Sequence, residues 1–173
     1  MSRSNLIYSD FFDLRDFPCK EIFESTENVW DVLSLIKTFL EKKKLGQQYS
    51  YVPHTAHLVN PSQIYIGENV VIEPGAYIKG PCYIGDESQI RHGAYLRGNV
   101  IIGKNCVVGH DTEVKNSILL NKAQAAHFAY VGDCILGYKV NLGAGVKCAN
   151  LKLNHSLITI QHEGESFLTK LKK

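Results

Sequence analysis

Residues 64–108 read IYIGENVVIEPGAYIKGPCYIGDESQIRHGAYLRGNVIIGKNCVV. Every sixth residue is aliphatic: Ile66, Ile72, Ile78, Ile84, Ile90, Leu96, Ile102 and Val108, with Val114 and Leu120 continuing the series. The residues two places earlier are mostly small or β-branched: Ile64, Val70, Ala76, Cys82, Ser88, Ala94, Val100, Cys106, Thr112 and Ile118. Glycine often follows the aliphatic, as at Gly67, Gly85, Gly103 and Gly109. Six is no helical period, because side chains six apart leave an α-helix on opposite faces. An ordinary strand stops within about ten residues. A beat of six held this long fits a coil of three short strands per turn, each sending one aliphatic and one small side chain inward. An irregular β-sandwich is the alternative. The expected fold is all-β: a left-handed parallel β-helix of hexapeptide repeats, with a short N-terminal helical segment and a C-terminal hairpin. Its coils stack about 4.8 Å apart.

The beat stumbles beyond Leu120. Ala126 keeps it, but Val131-Gly132, Leu136-Gly137 and Leu142-Gly143 follow at uneven spacing. One slipped stretch in a regular scaffold predicts a loop or bulge, and such departures mark functional sites. His127 and Tyr130 lie inside it. After Gly145 the beat is lost.

The ends have their own patterns. Residues 28–45, NVWDVLSLIKTFLEKKKL, place Val29, Leu33, Ile36 and Leu40 on one helical face. Asn28 and Asp31 have capping-box spacing, and Gly46 can stop the helix. This helix is expected to pack on the coil. Ahead of it, FFDLRDFPCKEIF reads as an apolar arm with a turn at Pro18. LITIQHEGESFLTKLKK reads as a hairpin around Glu163-Gly164. The expected division is 1–50 for the arm and helix, 51–150 for the β-helix and 151–173 for the hairpin or tail.

The chain has 173 residues, 45% hydrophobic and 21% charged, enough for a packed core. Its 19 basic and 17 acidic residues give +2, without the basic excess of a nucleic-acid binder. No stretch reaches transmembrane length and the N-terminus has no apolar signal core, so a cytoplasmic location with no membrane partner is expected. Five cysteines form no Cys-x-x-Cys or zinc pattern. Cys82 and Cys106 occupy small inward positions and read as core.

Lys79, Arg97 and Lys115 follow the inward aliphatic at eighteen-residue spacing. They should stack on successive coils as a cationic column, useful against a phosphate or simply a solvated face. His92 and His110 share the same spacing. Two stacked imidazoles suggest a metal site, as in γ-class carbonic anhydrases, but His127 comes seventeen residues later, so no metal is expected.

GAYLRG, TEVKNS, AHFAYVGD and GYKVNLGAG follow in order between Gly93 and Gly145. In this they resemble the acetyltransferase domain of the bifunctional N-acetylglucosamine-1-phosphate uridylyltransferase/glucosamine-1-phosphate acetyltransferase, and still more its stand-alone sugar-1-phosphate nucleotidyltransferase-like relatives. The Arg, Lys, His, Tyr and Asn of those motifs match without gaps. Asn-Val-Trp-Asp-Val-Leu also resembles the linker before the β-helix in bifunctional members. No Gly-rich nucleotide loop precedes it, so uridylyl transfer is not expected.

The resemblance implies acetylation of an amino-sugar 1-phosphate by direct transfer from acetyl-CoA. His127 would be the general base. Arg97 and Lys115 would bind the phosphate, Tyr130 the phosphate or sugar, and Asn141 the amino-sugar. Direct transfer gives Cys134 and Cys148 no role. Turns at Gly143 and Gly145 are candidates for an oxyanion donor. A homotrimer with sites between subunits is implied. The chain departs from the pattern at Ala126, where the family has Gly, and after Gly145, where Val146-Lys147-Cys148-Ala149-Asn150 suits the stand-alone relatives. Lys152 is a candidate for the family's second substrate lysine. Relatives continue with further coils beyond the hairpin; either the hairpin caps the last coil here or the chain is truncated. A non-catalytic sugar-phosphate-binding or trimer-assembly module without a complete coenzyme groove is the alternative.

Overall fold

A computed structural model describes residues 6–149 and 151–172. The first five residues of the expected arm, Asn150 of the last motif and Lys173 lie outside them. The described residues form a parallel β-solenoid of about five turns. Its three sheets hold six, five and five strands among those residues.

Face one comprises His57–Val59, Tyr77–Lys79, Tyr95–Leu96, Glu113–Lys115, Tyr130–Gly132 and Lys147–Cys148. Face two runs from Ile64–Ile66 through Cys82–Ile84, Val100–Ile102 and Ser117–Leu119 to Ile135–Leu136. Face three runs from Val71–Ile72 through Gln89–Ile90, Val107–His110 and Gln124–His127 to Asn141–Leu142. The interior is filled as the beat predicts: Ile66, Ile78, Ile84, Ile90, Leu96, Ile102, Val108 and Val114 are fully buried in one cluster. Cys82 and Cys106 are fully buried among them.

The slip begins earlier than the spacing suggested. Ile78 pairs with Leu96 and Leu96 with Val114, eighteen residues per coil. Val114 then pairs with Val131, and Val131 with Cys148, seventeen per coil. Leu119, not Leu120, takes the inward place after Val114, and Ala125 takes it instead of Ala126. Ser117 replaces Ile118 at the small position, its hydroxyl donating to the Lys115 carbonyl at 2.8 Å. Ile118 and Leu120 face outward and are buried by the arm and helix. The beat also persists past Gly145, because Lys147 and Cys148 pair with Tyr130 and Val131.

Helix α1 spans Val32–Lys42, with a 3-10 turn at Val29–Asp31 before it. The Asn28 amide donates to Asp31 Oδ2 at 2.9 Å, one half of the expected capping box. Val32, Ile36 and Leu40, at i, i+4 and i+8, bury one stripe against Ile101 and Ile118 of face two. Val29 packs instead beside Trp30 and Phe167. The helix ends before Gly46, which has φ +90° and turns the chain into the solenoid, its amide donating to the Ile64 carbonyl.

Thr159–His162 and Glu165–Leu168 form the expected antiparallel hairpin, with Glu163 and Gly164 both at positive φ. It packs on the chain's beginning rather than inside the last coil. Phe167 meets Trp30 with ring centroids 6.3 Å apart, and Leu6 joins them. Leu142 and Cys148 in the last coil remain half-buried.

Candidate functional site

Alternation along face one presents two outward columns. Register places Tyr77, Tyr95, Glu113, Tyr130 and Lys147 in one. Lys79, Arg97, Lys115 and Gly132 follow two residues later in the other, as Lys115 pairing with Gly132 shows. The stacked cations therefore exist, and Arg97 and Lys115 come with acidic partners. Arg97 Nη1 donates to Glu113 Oε1 at 2.6 Å. That bond holds the guanidinium further toward its charged form. Lys115 Nζ donates to Asp133 Oδ2 at 2.7 Å, and the Asn116 amide donates to Asp133 Oδ1 at 2.8 Å. The carboxylates offset the mutual repulsion of cations about 5 Å apart.

Tyr130 heads its strand beside Glu113, and its ring lies over Gly132. A Cβ at residue 132 would sit 2.7 Å from two ring carbons, so glycine there leaves room for the phenol. The Arg97 guanidinium also lies over the Tyr95 ring, 5.8 Å from its centroid. Farther along the same column, Tyr77 and Tyr95 meet edge to face at 5.2 Å.

His127 ends its face-three strand at the corner that leads to Tyr130. It pairs in register with His110, and the two rings meet at 5.5 Å. His92 keeps its eighteen-residue register with His110 on the preceding coil, where Gln89 and Ile90 pair with Val107 and Val108. The His92 ring turns to the Pro74 carbonyl at 2.7 Å, whereas the next coil is seventeen residues long and sets His127 on His110. Among the described residues no three His, Cys, Asp or Glu side chains gather as a metal site would need.

Phe128, next to His127, has φ +36°, a region unfavourable to a bulky side chain. At the equivalent corners stand Gly75, Gly93, Asp111 and Gly145, residues that tolerate it. The Phe128 ring is half exposed and contacts His110 at 5.7 Å. Strain of this kind clusters at functional sites.

Asn141 stands apart from the cationic columns. It lies on face three, paired with Gln124, on the other side of the His127 corner from Tyr130. The Gly145 amide donates to the His127 carbonyl at 3.1 Å, so it is engaged in the coil rather than aimed at an oxyanion. Lys152 Nζ donates to the Leu157 carbonyl. A cleft of about 350 Å³ opens at another corner, lined by Arg15, Lys104, Lys122 and Tyr138, and includes none of the five candidate residues. The structure thus brings Arg97, Lys115 and Tyr130 onto one face, with His127 at its edge and Asn141 around the corner.

Sequence reasoning missed Glu113, Asn116, Phe128 and Asp133. All four lie within the TEVKNS and AHFAYVGD motifs, and the seventeen-residue offset from Asn116 to Asp133 was a further signal.

A comparison with curated proteins found no significant match. The family model for the GMPPB C-terminal domain matches residues 78–165, which takes in every strand of the face just described from Tyr95 onward. That match spans just over half of the chain, and the chain belongs to this family, a left-handed β-helix domain of the hexapeptide type found in sugar nucleotidyltransferases.

Proposed function

We propose that this chain acetylates the amine of an amino-sugar 1-phosphate, with acetyl-CoA as donor. The observation that carries the reading is the placement of His127 at the edge of the face that presents Tyr130, Arg97 and Lys115. The two cations and the phenol grip the phosphate and sugar. Asn141 approaches the amino-sugar from the neighbouring face. The amine lone pair attacks the thioester carbonyl carbon, and the new N–C bond forms as the C–S bond breaks. His127 takes the amine proton and returns it to the departing coenzyme A thiolate. The products are the acetamido sugar phosphate and coenzyme A thiol.

The working unit is a homotrimer in the cytoplasm, with face-one surfaces in the clefts between subunits. The exposed Tyr77 and Tyr95 rings support an interface there. The test is coenzyme A release with glucosamine 1-phosphate, comparing the chain with His127→Ala. Release that depends on His127 supports the reading; equal release from both ends it.

A non-catalytic module that binds sugar phosphates is the second reading. The last coil favours it, since Leu142 and Cys148 there are only half-buried. Saturable binding of glucosamine 1-phosphate without coenzyme A release is its expected result.

A further inference from the structure

We infer that Asp133 is the positioning residue for Lys115, and that the shortened corner of the solenoid is what puts it there. This rests on the proposed function, in which Lys115 grips the substrate phosphate.

The corner between faces one and two changes length along the solenoid. In the earlier coils two residues separate the outward cation from the next inward small side chain: Gly80-Pro81 after Lys79, and Gly98-Asn99 after Arg97. In the later coils one residue does: Asn116 after Lys115, and Asp133 after Gly132. Both single residues adopt positive φ, +45° and +52°, a conformation that Asn and Asp tolerate. Losing one residue from each of two successive coils keeps these corners in step, so Asp133 follows directly on Gly132, the register partner of Lys115.

Each carboxylate oxygen accepts a side-chain hydrogen bond. Oδ2 accepts from Lys115 Nζ, and Oδ1 accepts from the Asn116 amide. The Asn116 amide also approaches the Leu33 carbonyl of α1 at 3.4 Å. Asp133 is buried, its side chain 9% exposed against 22% for Lys115. A flexible lysine stem is thus tied to a buried anchor that is itself held at a second point.

Two opposite effects follow from such an anchor. A carboxylate near a phosphate site repels the incoming dianion, so neutralising it would tighten binding. An anchor that fixes the ammonium in advance removes the ordering that binding would otherwise require, so loosening it would weaken binding. The two-point fixation of Asp133 favours the second.

The test compares the chain with Asp133→Asn and Asp133→Glu by steady-state coenzyme A release and by calorimetric titration with glucosamine 1-phosphate. The Asn variant should raise KM and Kd for the sugar phosphate about tenfold, with a smaller change in kcat. The Glu variant should recover part of the loss, a rescue that general damage to the fold would not give. Should Asp133→Asn fail to fold, Asn116→Ala removes one of the two supports and should shift KM the same way by a smaller factor. Unchanged or tighter binding by a folded variant, with the parent chain active or binding, overturns the inference alone. A parent chain that neither binds nor acetylates glucosamine 1-phosphate overturns the reading of the site, and this inference with it.

Discussion

The His110 and His127 imidazoles meet edge to face with ring centroids 5.5 Å apart, because the coil that separates them is seventeen residues long. One ring is therefore the wall against which the other stands. The pair has unequal roles in the proposed reaction. His127 handles the proton, and His110 orients the ring that does so.

Replacing the two histidines separately should expose that inequality. His127→Ala should lower kcat by about 10²–10⁴ with little change in KM for the sugar phosphate, the usual scale for loss of a general base. His110→Ala removes an edge-to-face contact of about 0.5–1.5 kcal/mol, so its effect on kcat should stay near or below tenfold. Initial rates of coenzyme A release measure both. Equal losses from the two variants would remove the distinction.

The early strands of face one were legible in the sequence because they are apolar on one side only. Ile78, Leu96 and Val114 alternate with polar neighbours that face water, so the eighteen-residue beat has one solution. At Ser117–Leu120 the signal vanishes. Ile118, Leu119 and Leu120 are all aliphatic, since α1 covers the outer surface while the solenoid core needs the inner one. A strand buried on both faces reads as a continuous apolar run, and hydropathy cannot say which side chain points in. The same ambiguity hid the site's partners. Arg97 and Lys115 keep the regular spacing and could be read, whereas Asp133 and His127 reach their neighbours only through the shortened coil.

The assignment of inward and outward side chains has a direct consequence for stability. Leu119→Ala should destabilise the whole solenoid by about 2–5 kcal/mol, since it empties a core position. Ile118→Asp should act differently. It places a charge under α1, so it should release the helix and expose residues 32–42 to protease while the coils persist. Urea titration and limited proteolysis separate the two outcomes. Proteolysis in α1 after the Leu119 change, with resistance after the Ile118 change, would reverse the assignment.

Buried thiols give the protein an alkaline limit. Burial pushes Cys19 and Cys106 up to about 12 from an ordinary 9.0, and pushes Cys82 higher still. Folded thiols thus keep their protons where unfolded ones lose them. Their contribution is fully present below about pH 9 and is lost as pH rises through the folded values. Between about pH 9 and 12 each such group should steepen the decline by about 1.4 kcal/mol per pH unit. Cys106→Ser keeps a donor for the Leu120 carbonyl, which Cys106 Sγ meets at 3.1 Å, and removes the titration. The variant should lose stability more slowly with rising pH than the parent. Urea midpoints at pH 8 and pH 10 decide it; parallel slopes would mean that Cys106 is not protected.

Phe128 offers the sharpest test of strain beside His127. Its φ of +36° disfavours any side chain with a Cβ, by about 1–2 kcal/mol for L-residues in the left-handed region. Phe128→Ala and Phe128→Gly both delete the ring and its contact with His110, so those losses cancel between them. At an ordinary position glycine is the less stable of the two, because it frees the unfolded chain. Here the order should invert, with Phe128→Gly more stable than Phe128→Ala by about 1 kcal/mol in chemical denaturation. Both should weaken coenzyme A release, since the ring that borders His110 is gone from each. An alanine variant more stable than the glycine one would show that no strain is held at this corner, and that His127 is presented by its strand and by His110 alone.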